Sequence, residues 1–183
     1  MTQPITQGQR LDFLIRCLLN ENEEYKNIEI PAGQPDKRRL LRSLMNVRPP
    51  VPASEEFLKV QDAYLQERLA ERGVTEPENL TPVQPGIYLW QGDITTLAAD
   101  AIVNAANSRM LGCFVPCHGC IDNAIHTYAG TQLRMECARI MAGQRKEEAT
   151  GKAKITKAYN LPCRYVLHTV GPIIYGTAHK DRL

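Results

Sequence analysis

Apolar and polar positions follow two rhythms along this chain, and the rhythm changes near Pro85. From Gln7 to Asn20, Leu11, Leu14, Ile15, Leu18 and Leu19 keep the three-four spacing of one helix face. Pro31, Gly33 and Pro35 interrupt it. Leu40, Leu41, Leu44 and Met45 then predict a second helix from about Asp36 to Val47, and the run Arg48 to Pro52 is a stiff linker. Ser54 is a good N-cap for a third helix, with Glu55 and Glu56 in its first turn. Phe57, Leu58, Leu65 and Leu69 lie along it, Val60 and Tyr64 on a neighbouring track, and Gly73 closes it. Residues 1–80 therefore predict a helical extension that packs and carries no chemistry.

After Pro85 the pattern shortens. Ile87–Trp90, Ala101–Val103, Ala153–Tyr159 and Tyr165–Val170 predict strands. Between them, one long helix from Asn123 to Met141 presents Ile125, Ala129, Leu133, Cys137 and Ile140 on one face. Strands alternating with a helix predict an α/β domain over residues 81–183. These strands alone make a thin sheet, and the expectation is a domain whose C-terminal part is missing.

Composition narrows the function classes. The apolar fraction of 43% suffices for a core, and the net charge of +2 is too small and too dispersed to point to nucleic acid. No apolar run approaches the ~20 residues of a membrane span. The start, MTQPITQGQR, has no basic stretch followed by an apolar one, so the expected compartment is the cytoplasm, where thiols stay reduced. Clustered cysteines are then ligands or reactive groups. Three of the six cysteines and two of the four histidines fall between Gly112 and His126. Cys113, His118 and Cys120 supply three soft donors, and zinc suits mixed sulfur and nitrogen ligands. Three ligands leave a zinc position open, whereas Cys117 as a fourth would close it into a structural site. Asp122 is either the N-cap of the following helix or a carboxylate working beside the metal. Asn107 caps a turn or binds a hydroxyl. His126 reads as a structural histidine, and Cys17, Cys137 and Cys163 as core cysteines.

Taken in order, GDIT from Gly92, DAIVNAANS from Asp100 to Ser108, Leu111-Gly112 and IDNAIH from Ile121 to His126 resemble a macrodomain, the fold that binds ADP-ribose. GKAKIT from Gly151, AYN from Ala158 and YVLHTVGP from Tyr165 to Pro172 extend the resemblance. In the common MacroD-type pattern a glycine run precedes the aspartate; here CFVPCHGC, Cys113 to Cys120, replaces it. That departure is similar to the zinc-dependent macrodomains of microbes, which also carry a helical N-terminal extension. The resemblance implies a mixed sheet flanked by helices in three α/β/α layers. It implies a Zn2+-dependent hydrolase that removes ADP-ribose from modified acidic side chains of proteins, among them a lipoyl-carrier protein of the glycine-cleavage type. It carries the zinc motif onto Cys113, His118 and Cys120. Asp93 and Ile94 fall at the adenine end. Asn107 and Asp122 fall at the distal ribose as the catalytic pair, and Gly112, Cys120 and Ile121 lie along the loop that follows the diphosphate and ribose. Macrodomains carry a second, Ser- and Gly-rich phosphate loop, and nothing after Gly176 matches it, which implies the first two thirds of such a protein. Three alternatives stay open: a reader that binds ADP-ribose without cleaving it, an inactive fragment, and a small structural zinc protein.

Overall fold

The computed structural model describes residues 5–172. Helix α1 spans Gln7–Asn20 and begins with a reciprocal cap. Thr6 Oγ1 accepts from the Gln9 amide, and the Gln9 side chain accepts from the Thr6 amide. Helix α2 spans Gln34–Val47; it starts two residues before the predicted Asp36 because Pro35 is tolerated in a first turn, where its missing N–H costs nothing. Helix α3, Glu55–Arg72, is capped by Ser54 and ends at Gly73 with φ +80°. Leu11, Leu14, Ile15, Leu41, Leu44, Phe57 and Leu65 close a core between these three helices.

A short antiparallel pair follows, β1 (Pro82–Gln84) and β2 (Ile87–Tyr88), exposed along its length. The predicted strand to Trp90 is thus shorter, and it pairs locally rather than with the main sheet. That sheet is mixed, in the order β3 (Ala101–Ala106), β5 (Tyr165–Val170), β4 (Ala153–Lys157). β3 and β5 run parallel with Asn104 opposite His168, and β4 runs antiparallel to β5. Ile102 and Val166 face a second core with Ile125, Leu133 and Cys137 from the covering helices.

The single helix expected from Asn123 to Met141 is instead two: α4, Ile121–Ala129, and α5, Thr131–Gln144. Gly130 breaks it with φ +95°, and a Cβ there would sit 2.7 Å from Gln61 Nε2. The helical layer is keyed into that break. Gln61 Oε1 accepts from the Thr131 amide at 3.0 Å, and Asp62 accepts from Gln132 and Asn160. Between the two apolar cores the contact is therefore polar and directional, and each buried group left without its partner would cost about 1–3 kcal/mol. Residues after Gly176, on which the expectation of an incomplete domain rested, lie outside the described residues. Among the described residues no helix is long and apolar enough to cross a membrane.

Candidate active site and metal centre

The site gathers where β3 ends and α4 begins. Asn104, on the buried face of β3, donates through Nδ2 to Asp122 Oδ1 at 2.8 Å, and the same nitrogen lies 3.1 Å from His168 Nδ1. His168 sits beside Asn104 because the parallel register pairs them. Burial pushes the His168 imidazole down to about 4, so it is neutral near pH 7. Its Nε2 reaches Thr156 Oγ1 at 3.0 Å, which leaves Nδ1 to accept from Asn104 and orients that amide toward Asp122.

Asp122 holds its other oxygen 3.3 Å from Asn107 Nδ2. Burial raises its pKa, against the lowering pull of Asn104, Arg134 and Asn107. The N-cap of α4 is not Asp122 but Cys120, whose Sγ accepts from the Asn123 amide at 3.4 Å. Asp122 lies inside the first turn, where the helix terminus favours a negative charge. Asn107, exposed, also donates to Gly112 O at 3.1 Å and accepts from the Arg109 amide, so it does cap a turn while touching Asp122.

Gly112 adopts φ +80°, and a Cβ there would fall 2.7 Å from the His126 ring. Only glycine lets the loop lie flat on that histidine. His126 is buried, neither ring nitrogen has a partner, and burial lowers its pKa well below the usual range. Its Nε2 is 3.6 Å from Asp122 Oδ1.

Cys113, His118 and Cys120 bring one donor atom each within 4.8 Å of one another, with Cys113 Sγ 3.6 Å from His118 Nδ1. Bond lengths of about 2.3 Å to sulfur and 2.0 Å to nitrogen put tetrahedral S and N ligands about 3.6 Å apart, so the donor set fits a zinc ion. The Cys117 sulfur turns the other way. It sits 3.2 Å from Ser43 Oγ and 3.5 Å from Arg39 O, on a backbone with φ +52°, outside the donor trio.

Asn123 and Arg42 shape this loop, and neither was singled out from sequence. Asn123 Nδ2 donates to Val115 O at 3.0 Å, and its Oδ1 accepts from Arg42 Nη2 at 2.7 Å. The same Arg42 nitrogen donates to His118 O at 3.0 Å. Asn46 accepts from the Cys117 amide, and the buried Arg134 ties Leu111 O to carbonyls at the end of α2. The helical extension thus holds the donor loop; the expectation that it only packs is too plain. No local pattern marks Arg42 or Arg134, since their partners lie 76 and 81 residues away for Arg42, and 23, 88 and 89 residues away for Arg134.

Asp93 caps a 3₁₀ turn, Ile94–Thr96, accepting from the Thr95 amide and from Arg72 Nη1 at 2.9 Å. Ile94 and Ile121 pack half-buried against the second core. Cys137 and Cys163 are buried and Cys17 is partly so.

A family model for the Macro domain matches residues 103–183. A Treponema medium protein named protein-ADP-ribose hydrolase is 58% identical over 176 residues, 94% of this chain and 67% of that protein. The chain belongs to the macrodomain family. A Staphylococcus aureus protein-ADP-ribose hydrolase (strain MRSA252) is 51% identical over 166 residues, 90% of this chain and 62% of that protein. The Trypanosoma brucei macrodomain crystal structure is 36% identical with a TM-score of 0.50, over 72% of this chain and 57% of that one. The fold is the mixed α/β fold of macrodomains, with helices flanking the sheet. The chain spans 67% and 62% of the lengths of these two curated relatives.

Proposed function

We propose that this macrodomain removes ADP-ribose from modified acidic side chains of proteins, using a zinc ion held by Cys113, His118 and Cys120. One observation carries the reading: the donor trio ends at the cap of α4, and Asp122, held by two asparagine amides, is in the first turn of that helix. Relatives at 58% and 51% identity are named protein-ADP-ribose hydrolase, which supports the same reaction class. When bound, the ion would supply a Lewis acid toward a ribose hydroxyl or the ester carbonyl.

The chain's own groups do the rest. Asn107 exchanges its loop contacts for a hydroxyl of the distal ribose, to which an amide both donates and accepts. Asp122 orients the ribose or the attacking water and takes a proton, and its raised pKa brings it nearer to working pH. Neutral His168 and Asn104 keep the carboxylate fixed while this happens. Gly112, Cys120 and Ile121 offer backbone along the diphosphate and ribose, and Asp93 with Ile94 receives the adenine. Hydrolysis consumes one water and yields ADP-ribose and a free carboxylate. The proposed target is a lipoyl-carrier protein of the glycine-cleavage type.

Metal analysis combined with release of ADP-ribose from a glutamate- or aspartate-modified protein tests the reading. The expected result is one zinc per chain and release that a chelator abolishes. Release indifferent to chelator overturns the metal's role; ADP-ribose binding with no release makes the protein a reader.

A further inference from the structure

A cavity of about 500 Å³ opens between α2, α3 and α4, away from Asn104 and Asp122. Arg38, Arg39, Arg42 and Arg68 line it together with Tyr64 and Tyr128, and no acidic residue does. Among the described residues, Arg68 alone of the four pairs with a carboxylate, that of Glu71. Arg42 directs Nε and Nη2 to neutral acceptors, Asn123 Oδ1 and His118 O, and among the described residues no carboxylate pairs with it. Arg38 and Arg39 are exposed and make no ion pair among the described residues. Cys117 closes the wall, one residue before the donor His118.

The chain as a whole is close to neutral, at +2, so four guanidiniums around one cavity are a local concentration of charge. Guanidiniums match carboxylates by their planar fork, and an uncompensated group of them selects acidic partners. The volume lies within the range of about 300–1,000 Å³ typical of ligand pockets. Its wall is continuous with the loop that carries Cys113, His118 and Cys120, through Cys117 and through Arg42, which donates to His118 O, so the cavity adjoins the proposed active site.

We infer that this arginine cavity docks a carboxylate-rich segment of the protein substrate, next to the modified residue. The inference rests on the proposed hydrolase reading for its occupant, and on charge complementarity for its chemistry. The cavity would select targets whose modified side chain lies among unmodified aspartates and glutamates.

Two arms test it on the intact protein. In the first, a fluorescein-labelled decapeptide of glutamates, carrying no ADP-ribose, is titrated by anisotropy against wild type and the double variant Arg38→Glu, Arg39→Glu. Both residues are exposed, and the melting temperature checks that the variant folds. Wild type should bind the glutamate peptide but not a glutamine counterpart, more weakly as salt rises, and the variant should lose roughly tenfold in affinity. Binding unaffected by the double variant, displaced by free ADP-ribose, or absent altogether overturns the cavity as an acidic docking site. In the second arm, peptides with one ADP-ribosylated glutamate and either glutamate or glutamine flanks are compared as substrates. A lower KM for acidic flanks, lost in the double variant, is expected. Equal KM values overturn the docking role while leaving the hydrolase standing; no turnover of either peptide overturns the hydrolase instead.

Discussion

Cys113, His118 and Cys120 on the loop, and His126, Cys137 and His168 in the core, bring similar donor types within the same 4.8 Å. Their surroundings are opposite. The loop trio is exposed or half-exposed, and its shape is set from outside by Asn123, Arg42 and Asn46, which leaves the donors facing one another. The core trio is sealed. His168 already spends both nitrogens, on Asn104 and Thr156, and burial pushes the Cys137 thiol up to about 12, where it keeps its proton. A metal needs deprotonated thiolates and free lone pairs. Closeness alone does not make a metal centre; access and prior engagement decide.

Metal content breaks or sharpens the contrast most. Cys113→Ser should take zinc from one equivalent to a trace, whereas Cys137→Ala should leave it unchanged and cost about 1–2 kcal/mol of stability as a small cavity. Elemental analysis on matched samples checks this, and zinc lost from both variants would put the core trio in the metal site. Asp122→Asn comes next. It keeps the shape but leaves one oxygen to accept from two amide donors, Asn104 and Asn107. Turnover should fall by about 10²–10⁴-fold with zinc retained. Wild-type turnover would remove the carboxylate from the reaction.

Within the loop, glycines provide a finer comparison. Gly112→Ala forces a Cβ 2.7 Å from the His126 ring on a φ of +80°, while Gly119 on the same loop has open space around it. Denaturant titration should show a loss of about 1–3 kcal/mol for Gly112→Ala and little for Gly119→Ala. Equal losses would mean that His126 yields freely.

What the sequence made legible was local. α1 has its predicted bounds, because one unbroken apolar face and a cap act within a few residues. β5 likewise matches Tyr165–Val170, and Cys113, His118 and Cys120, which the structure brings together, lie within eight residues of sequence. Gly130 was hidden, because the apolar face runs on across it and the reason for the break is Gln61, far away in α3. The asparagine–histidine pair behind Asp122 was hidden for the same reason: Asn104 and His168 are 64 residues apart and meet only through parallel pairing. Cys120 as helix cap went unseen because sulfur is not among the usual capping atoms.

The smallest expected effect concerns the core pair of histidines. His168 is held at about 4 and His126 well below the usual range, both chiefly by burial, against 6.5 for an unperturbed ring. Around them lie Asp122, Arg134 and Cys137, with Thr156 and Asn104 as neutral partners. Below the ordinary value the unfolded chain takes up protons that the folded core refuses. Stability from these rings is therefore fully present above pH ~6.5 and declines as pH falls below it, for His168 by about 1 kcal/mol between pH 7 and 5.5. His126 has no ring hydrogen bond to lose, so His126→Phe should keep the fold and make the acid slope shallower. Urea unfolding at both pH values measures it. An unchanged acid slope in the variant would mean that His126 takes its proton without leaving the core.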